Sequence, residues 1–116
     1  MSEIGIQSSI MLALGRGMSR IFRNNCGVAR FPNGSTVRYG VANPGGSDLI
    51  GWTSVTVTPE MIGQTLAVFV AVEVKDAKGR ASAEQTNFLN AVLKAGGRAG
   101  IARSVDEAEA IVSAST

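Results

Sequence analysis

The sequence predicts an α/β fold in which a mixed β-sheet is flanked by α-helices. Helix-like and strand-like segments follow one another in the order helix, three or four strands, helix, strand, helix, which is typical of a layered domain. Residues 66–72 are all apolar, as expected of a strand buried on both faces. With 116 residues and 45% hydrophobic side chains, the chain fits one compact domain over residues 1–116.

Three segments predict α-helices. Residues 3–15 carry apolar side chains near helical spacing, with Ser2 in the N-cap position. The second helix begins at Ser82 and ends at the glycine pair after Ala95. Residues 105–112 predict the closing helix, with acidic side chains in its first turn.

The strand signals are β-branched or apolar runs between turn residues. Ile21 and Phe22 begin an element after the first helix, and Thr58-Pro59-Glu60 predicts a short helix with threonine as N-cap. Pro32-Asn33-Gly34 predicts a hairpin turn. The predicted strands are residues 27–31, 35–39, 48–52, 66–75 and 98–103, with residues 53–57 extending the third.

The composition excludes several kinds of chemistry. The chain has no histidine and a single cysteine, which rules out Ser–His and Cys–His catalysis and argues against zinc. A metal would have to be a hard ion held by carboxylates, Mg²⁺ or Mn²⁺. Cys26 is expected to be a buried or half-buried small residue, and its lack of a partner suits a reducing cytoplasm. The sequence also predicts no signal peptide and no transmembrane segment.

Positive charge is concentrated in the first half of the chain. Residues 1–47 contain only one acidic residue, Glu3, and all their cations are arginines, the side chain best suited to phosphate. This asymmetry fits a nucleic-acid partner, and it fits equally well a set of arginines on a solvated helix face. The arginines are Arg16, Arg20, Arg23, Arg30 and Arg38.

The tripeptide Glu73-Val74-Lys75 closes the most apolar strand. Because side chains alternate along a strand, Glu73 and Lys75 share one face. The carboxylate can bind a hard divalent cation, and the ammonium can hold an attacking water or a phosphate oxygen, as in metal-assisted phosphodiester hydrolysis. The alternative is a same-face ion pair at a strand end.

Four further residues have a functional and a structural interpretation. Asp48 opens a strand after a glycine-rich turn, as a metal ligand or as a turn aspartate that accepts backbone N–H bonds. Gln85 lies three residues after Ser82, so it either completes a capping box or contacts phosphate or metal-bound water. Glu3 either supports a metal water shell or compensates the helix dipole. Arg80 contacts phosphate or lies in a solvated loop.

Together these segments resemble the virus-type replication-repair nuclease (VRR-NUC) domain, a branch of the PD-(D/E)xK nuclease superfamily. The resemblance covers nearly the whole chain, and one departure is Ser47, where the family has proline before the aspartate. The similar segments are Glu3-Ile4-Gly5-Ile6-Gln7, Phe22-Arg23-Asn24-Asn25-Cys26-Gly27, Pro44-Gly45-Gly46-Ser47-Asp48-Leu49, Glu73-Val74-Lys75, Gly79-Arg80-Ala81-Ser82 with Gln85, Ala95-Gly96-Gly97 and Ile101-Ala102-Arg103-Ser104.

The resemblance implies a restriction-endonuclease-like fold and Mg²⁺- or Mn²⁺-dependent cutting of structured DNA. By that resemblance, Asp48, Glu73 and the Val74 carbonyl bind the metal, and Lys75 positions or deprotonates the attacking water. Glu3 and Gln85 support the water shell or orient Lys75.

Stand-alone phage and prophage members resemble dimeric Holliday-junction resolvases, so the expected partners are branched DNA and a second copy of the chain. A DNA-repair nuclease acting on flaps or linear duplex, and a non-catalytic DNA-binding module on the same fold, are the alternatives.

Overall fold

The computed structural model describes residues 2–113, which belong to two compact units, Met1–Thr53 and Ser54–Thr116. Both units combine helix and strand, so the α/β class is confirmed. The expectation of a single domain over residues 1–116 stays a prediction.

The first unit contains one helix and two antiparallel strand pairs. Strand β1 pairs with β4 so that Arg23 lies opposite Leu49, and β2 pairs with β3 so that Arg30 lies opposite Thr36. Its elements are α1 (Glu3–Leu14), β1 (Ser19–Arg23), β2 (Gly27–Arg30), β3 (Thr36–Tyr39) and β4 (Leu49–Thr53).

Local sequence signals account for these elements. The Ser2 hydroxyl accepts a hydrogen bond from the Gly5 N–H at 3.1 Å, which confirms the predicted N-cap of α1. The predicted hairpin is also confirmed, and the Asn33 side chain holds its turn by accepting the N–H of Ser35 at 2.9 Å. Helix α1 has no distinct polar and apolar faces, and its Leu12 is 78% exposed within this structure.

The predicted extension of the third strand over residues 53–57 is wrong beyond Thr53. Strand β4 ends where its partner begins, at the pair Ser19 and Thr53, whose hydroxyls are 3.0 Å apart. Beyond this pair β1 offers no further backbone groups, so β-branched side chains alone do not continue the strand.

The second unit is a strand–helix–strand unit followed by a helix. Strands β5 and β6 are parallel, with Glu73 opposite Ile101 and Val74 opposite Ala102. A 3₁₀ turn at Pro59–Met61 precedes them; Thr58 occupies its N-cap position but makes no capping hydrogen bond with its side chain. The elements are β5 (Val70–Val74), α2 (Ala83–Ala95), β6 (Arg98–Ala102) and α3 (Val105–Ser113).

The core of the second unit lies where its helices meet β6. Leu89 and Val92 of α2 and Ala102 of β6 are buried. A Cβ on Gly97 would lie 2.7 Å from Val92 Cγ1, and one on Gly100 would lie 2.9 Å from Ile111 Cδ1. The lack of a side chain at Gly97, just before β6, and at Gly100, within it, therefore lets Val92 of α2 and Ile111 of α3 pack closely against this segment.

The expectation of a strand over residues 66–75 is wrong outside Val70–Val74, and so is the expectation that residues 66–72 are buried on both faces, since Leu66 and Val68 are 46% and 45% exposed. Strand β5 covers only Val70–Val74, and Val70 and Val74 are 39% and 73% exposed. Within the second unit as described, β5 has β6 as its one strand neighbour. The described residues form three two-stranded sheets, so the joining of strands into one restriction-endonuclease-like mixed sheet stays a prediction.

Candidate active site

Glu73, Lys75 and Gln85 come together at the end of β5. Lys75 Nζ lies 3.5 Å from Glu73 Oε2, and the side chains of Lys75 and Glu73 are 22% and 29% exposed. The expected same-face arrangement is therefore present, and the ion pair of the structural interpretation exists as well. A half-buried pair of this kind serves both interpretations, because an ammonium held beside a carboxylate is also placed for a phosphate ligated there.

Gln85 completes the capping box and also contacts the Glu73 carboxylate, whereas its expected contact with phosphate or metal-bound water stays a prediction. Its Oε1 accepts the Ser82 N–H at 2.9 Å, and the Ser82 hydroxyl accepts the Gln85 N–H at 3.1 Å, which completes a capping box. The same side chain donates from Nε2 to Glu73 Oε2 at 3.2 Å. The cap of α2 thus fixes the amide that holds the carboxylate.

Glu73 is consequently held through one oxygen. Oε2 faces both Gln85 and Lys75, whereas Oε1 has no hydrogen-bond partner among the described residues. Mg²⁺ and Mn²⁺ prefer oxygen ligands, so Oε1 of Glu73 is the type of donor atom that a hard cation binds.

A shallow depression adjoins the cluster. It has a volume of about 380 Å³, with an apolar floor that includes Val72, Phe88 and Leu89. Glu73, Gln85 and Glu84 supply its polar lining. Glu84 is a second carboxylate that sequence analysis missed; its place immediately before Gln85 in the first turn of α2 was the available signal.

Asp48 lies in the first unit, directly before β4, and its side chain is exposed. Its carbonyl accepts the Asn24 N–H at 2.8 Å, but its carboxylate makes no hydrogen bond or ion pair with the described residues. The alternative of a turn aspartate that accepts backbone N–H bonds is therefore not supported. Whether Asp48 joins Glu73 stays a prediction.

Asn24 builds the loop that leads to Asp48, and sequence analysis assigned it no role. Its Nδ2 donates to the carbonyls of Val41 and Ser47, each at 3.0 Å, and its Oδ1 accepts the Val41 N–H at 2.8 Å. A Cβ on Gly46 would collide with Val41 O. An asparagine beside a strand end was the only local signal, because these bonds span 17 and 23 residues.

The turn after Lys75 is also built by side chains. Asp76 Oδ1 accepts the N–H groups of Lys78 at 3.0 Å and Gly79 at 2.7 Å. Arg103 Nη1 donates to the carbonyls of Asp76 and Gly79, the latter at 2.9 Å. The sequence carried no local signal for this function of Arg103, because its partners lie 27 and 24 residues away.

The arginines proposed for DNA binding are exposed, and none of the five in the first unit lies on α1, so the alternative of a solvated helix face is wrong. Arg30 and Arg38 share one face of the β2–β3 hairpin. Arg20 and Arg23 point to opposite faces of β1. Arg80 is exposed and follows the turn in the second unit.

Glu3 begins α1 and is exposed, where a carboxylate compensates the helix dipole. Its expected contact with a metal water shell stays a prediction. Cys26 is exposed, which corrects the expectation of a buried or half-buried thiol.

No group of three or more Cys, Asp or Glu side chains within residues 2–113 is close enough to hold a metal ion. At the depression the second unit offers the carboxylates of Glu73 and Glu84 and the amide of Gln85. None of the helices in this part of the chain is long and apolar enough to cross a membrane.

An α/β chain with a Glu–Lys pair at a strand end and a glutamine beside it has the side-chain types of a nuclease site. The sequence model of the VRR-NUC domain matches residues 18–106, most of the chain, and the chain therefore belongs to the VRR-NUC family of nucleases. The match includes Asp48, Glu73, Lys75, Gln85 and Arg103 and begins after α1 and Glu3. No curated protein and no solved structure matches the chain.

Proposed function

We propose that the chain is a Mg²⁺- or Mn²⁺-dependent endonuclease that hydrolyses phosphodiester bonds in branched DNA, in the manner of a Holliday-junction resolvase. The observation that carries the proposal is the cluster of Glu73, Lys75 and Gln85 within a VRR-NUC match. Every cation-binding and charge-stabilising side-chain type that the reaction needs is present in the chain.

Glu73, Asp48 and the Val74 carbonyl would hold the cation. When bound, a divalent cation polarises the scissile phosphate and lowers the pKa of a water molecule. Gln85 fixes one oxygen of Glu73 and leaves the other for ligation. Glu3 would support the water shell.

Lys75 supplies the positive charge of the reaction centre. Its ammonium holds the attacking water or a non-bridging phosphate oxygen and stabilises the negative charge that develops in the transition state. The pairing with Glu73 limits where this ammonium can lie before DNA binds.

The proposed substrate follows from charge and symmetry. Exposed arginines on the strands and on the loop after α1 are candidates for phosphate contacts. A four-way junction needs two symmetric cuts, which a twofold dimer provides, and the exposed apolar side chains of α1 are candidates for the dimer contact. A DNA-binding surface would be built from Arg16, Arg20, Arg23, Arg30 and Arg38 of both copies.

Digestion of four DNA structures tests the proposal. A four-way junction, a 5′ flap, a linear duplex and a single strand are incubated with Mg²⁺, with Mn²⁺ and with EDTA, using Glu73→Gln as the inactive control. We expect paired symmetric cuts in the junction that require the metal and Glu73. Cleavage of the flap or the duplex in preference would identify the alternative substrate, and binding without cleavage would identify a DNA-binding module.

Light scattering with and without junction DNA tests the assembly. We expect the mass of two chains without DNA, and the mass of two chains plus one junction when the junction is present. A monomer that still cuts branched DNA would overturn the symmetric resolvase and favour a flap nuclease.

A further inference from the structure

We infer that the turn at residues 76–79 and Arg103 position the Lys75 side chain, so that Gly79 and Arg103 are positioning residues of the nuclease site. The inference rests on the proposed function, because it gives Lys75 its role in the reaction. Gly79 and Arg103 take part in no chemical step, but they explain how the flexible Lys75 side chain is held in place.

The turn begins directly after Lys75. The Asp76 carboxylate accepts two consecutive backbone N–H groups, those of Lys78 and Gly79, and this closes an Asx-type turn. The Lys75 N–H donates to the Ala102 carbonyl at 3.1 Å, so the backbone that enters the turn is tied to β6.

Arg103 ties together the two ends of this turn. One nitrogen of its guanidinium, Nη1, donates to the carbonyls of both Asp76 and Gly79. The backbone of Arg103 is itself fixed at the start of α3, because its N–H donates to Glu107 Oε1 at 2.6 Å and the Ser104 hydroxyl accepts the Glu107 N–H at 3.1 Å. The capped helix thus holds the arginine, and the arginine holds the turn.

Gly79 lets the lysine stem lie against the turn. A Cβ at this position would be 3.3 Å from Lys75 Cδ and 3.4 Å from Lys75 Cβ. It would also be 3.1 Å from Asp76 Oδ1, the atom that closes the turn. The contacts at 3.1 and 3.3 Å are tighter than ordinary van der Waals packing, so a side chain at this position would press on both the turn and the Lys75 stem.

Holding this stem has a direct consequence for the reaction. A lysine side chain has several rotatable bonds and is a mobile charge unless it is packed. A charge that is already in place stabilises a transition state without reorganisation, whereas a displacement of about 1 Å can lower a rate by about 100-fold. The turn restricts the stem, and the ammonium consequently lies beside Glu73.

The test uses the full chain, whose only lysines are Lys75, Lys78 and Lys94. Three variants are compared with the wild type: Arg103→Met, Gly79→Ala and, as matched control, Lys78→Met. The control removes a cation from the same turn, but its side chain makes no hydrogen bond or ion pair with the described residues. NMR relaxation of ¹³C-labelled lysine side chains measures the order of Lys75, and cleavage kinetics give kcat and KM separately.

We expect Arg103→Met and Gly79→Ala to lower kcat by about 10- to 100-fold with KM changed less than about twofold. In both variants the Lys75 signal should show increased motion or a shifted position, and Lys78→Met should leave both the signal and kcat at wild-type values. If Arg103→Met does not fold, as judged by circular dichroism, Gly79→Ala decides.

An unchanged Lys75 signal in a folded Gly79→Ala or Arg103→Met variant would overturn the inference, whatever the rate. A wild type that cuts no DNA would overturn the proposed function instead, and the NMR comparison would still decide whether the turn orders Lys75.

Discussion

The two carboxylates proposed for the metal are placed in different ways. In the second unit the Glu73 side chain is held by the Gln85 amide at 3.2 Å and the Lys75 ammonium at 3.5 Å. In the first unit the Asp48 carboxylate is exposed and unpaired among the described residues, and only its backbone is fixed, by Asn24. The second unit therefore fixes the Glu73 side chain, whereas the first unit fixes only the backbone at Asp48, where the loop ends.

This difference allows the structural role of each carboxylate to be distinguished from its chemical role. Glu73 has neighbours that depend on it, so its removal disturbs local structure as well as chemistry. Asp48 has none within the first unit as described, so its removal should disturb chemistry alone. The predictions below test this contrast, beginning with the largest expected effect.

Removal of either carboxylate should abolish cleavage but affect stability differently. Asp48→Asn and Glu73→Gln keep the side-chain shape, and each should lower the cleavage rate on the order of 1000-fold or more. Asp48→Asn should leave the free energy of unfolding within about 0.5 kcal/mol of wild type. Glu73→Gln loses the half-buried pair with Lys75 and should cost up to about 1 kcal/mol.

Urea unfolding and single-turnover cleavage in Mg²⁺ and Mn²⁺ make this comparison, with DNA binding retained as the control for folding. Wild-type cleavage by either variant would remove that residue from the site. An equal loss of stability in the two variants would show that Asp48 has structural partners too, and the proposed difference between Asp48 and Glu73 would then be wrong.

Lys75→Ala should lower the chemical rate by about 100- to 1000-fold, because it removes charge stabilisation that acts mainly in the transition state. Calorimetry should show metal binding close to that of the wild type. Lost metal binding together with a melted fold would mean that Lys75 is only the structural partner of Glu73.

The sequence predicted what depends on near neighbours. The Ser2 cap, the Pro32-Asn33-Gly34 hairpin turn and the Ser82 capping box each need only a few consecutive residues, and all three are present. The meeting of Glu73 with Lys75 followed from strand alternation.

Features that depend on distant partners could not be predicted. The apolar run at residues 66–72 predicts a strand buried on both faces, but hydrophobicity does not specify how many strands or helices cover it. Arg103 reaches carbonyls 24 and 27 residues away. Asn24 likewise bonds across 17 and 23 residues, so no local pattern revealed either role.

The loop before Asp48 can be loosened without touching the carboxylate. Asn24→Ala removes three side-chain hydrogen bonds and should destabilise the first unit by about 1–2 kcal/mol. A misplaced loop end should lower cleavage by about 10- to 100-fold. Asn25→Ala is the matched control, because the Asn25 side chain makes no hydrogen bond with the described residues. If cleavage survives in Asn24→Ala while stability falls, the loop need not be preorganised.

The smallest expected effect, and the sharpest test of how Glu73 is held, comes from Gln85. Glutamate is an ordinary capping-box partner, so Gln85→Glu should keep the bond to the Ser82 N–H and with it the capping contribution to the free energy of unfolding. It replaces the Nε2 donor with an anionic oxygen that repels Glu73, and we expect about tenfold slower cleavage. Gln85→Ala should slow cleavage similarly but should also lower the free energy of unfolding by about 1 kcal/mol, because the capping bond is lost as well.

Thermal unfolding and cleavage kinetics of the two variants therefore separate the two functions of Gln85, which are to cap α2 and to hold Glu73. Wild-type cleavage by Gln85→Glu would reduce Gln85 to a helix cap and leave Lys75 as the one side chain that orders Glu73 in the described second unit.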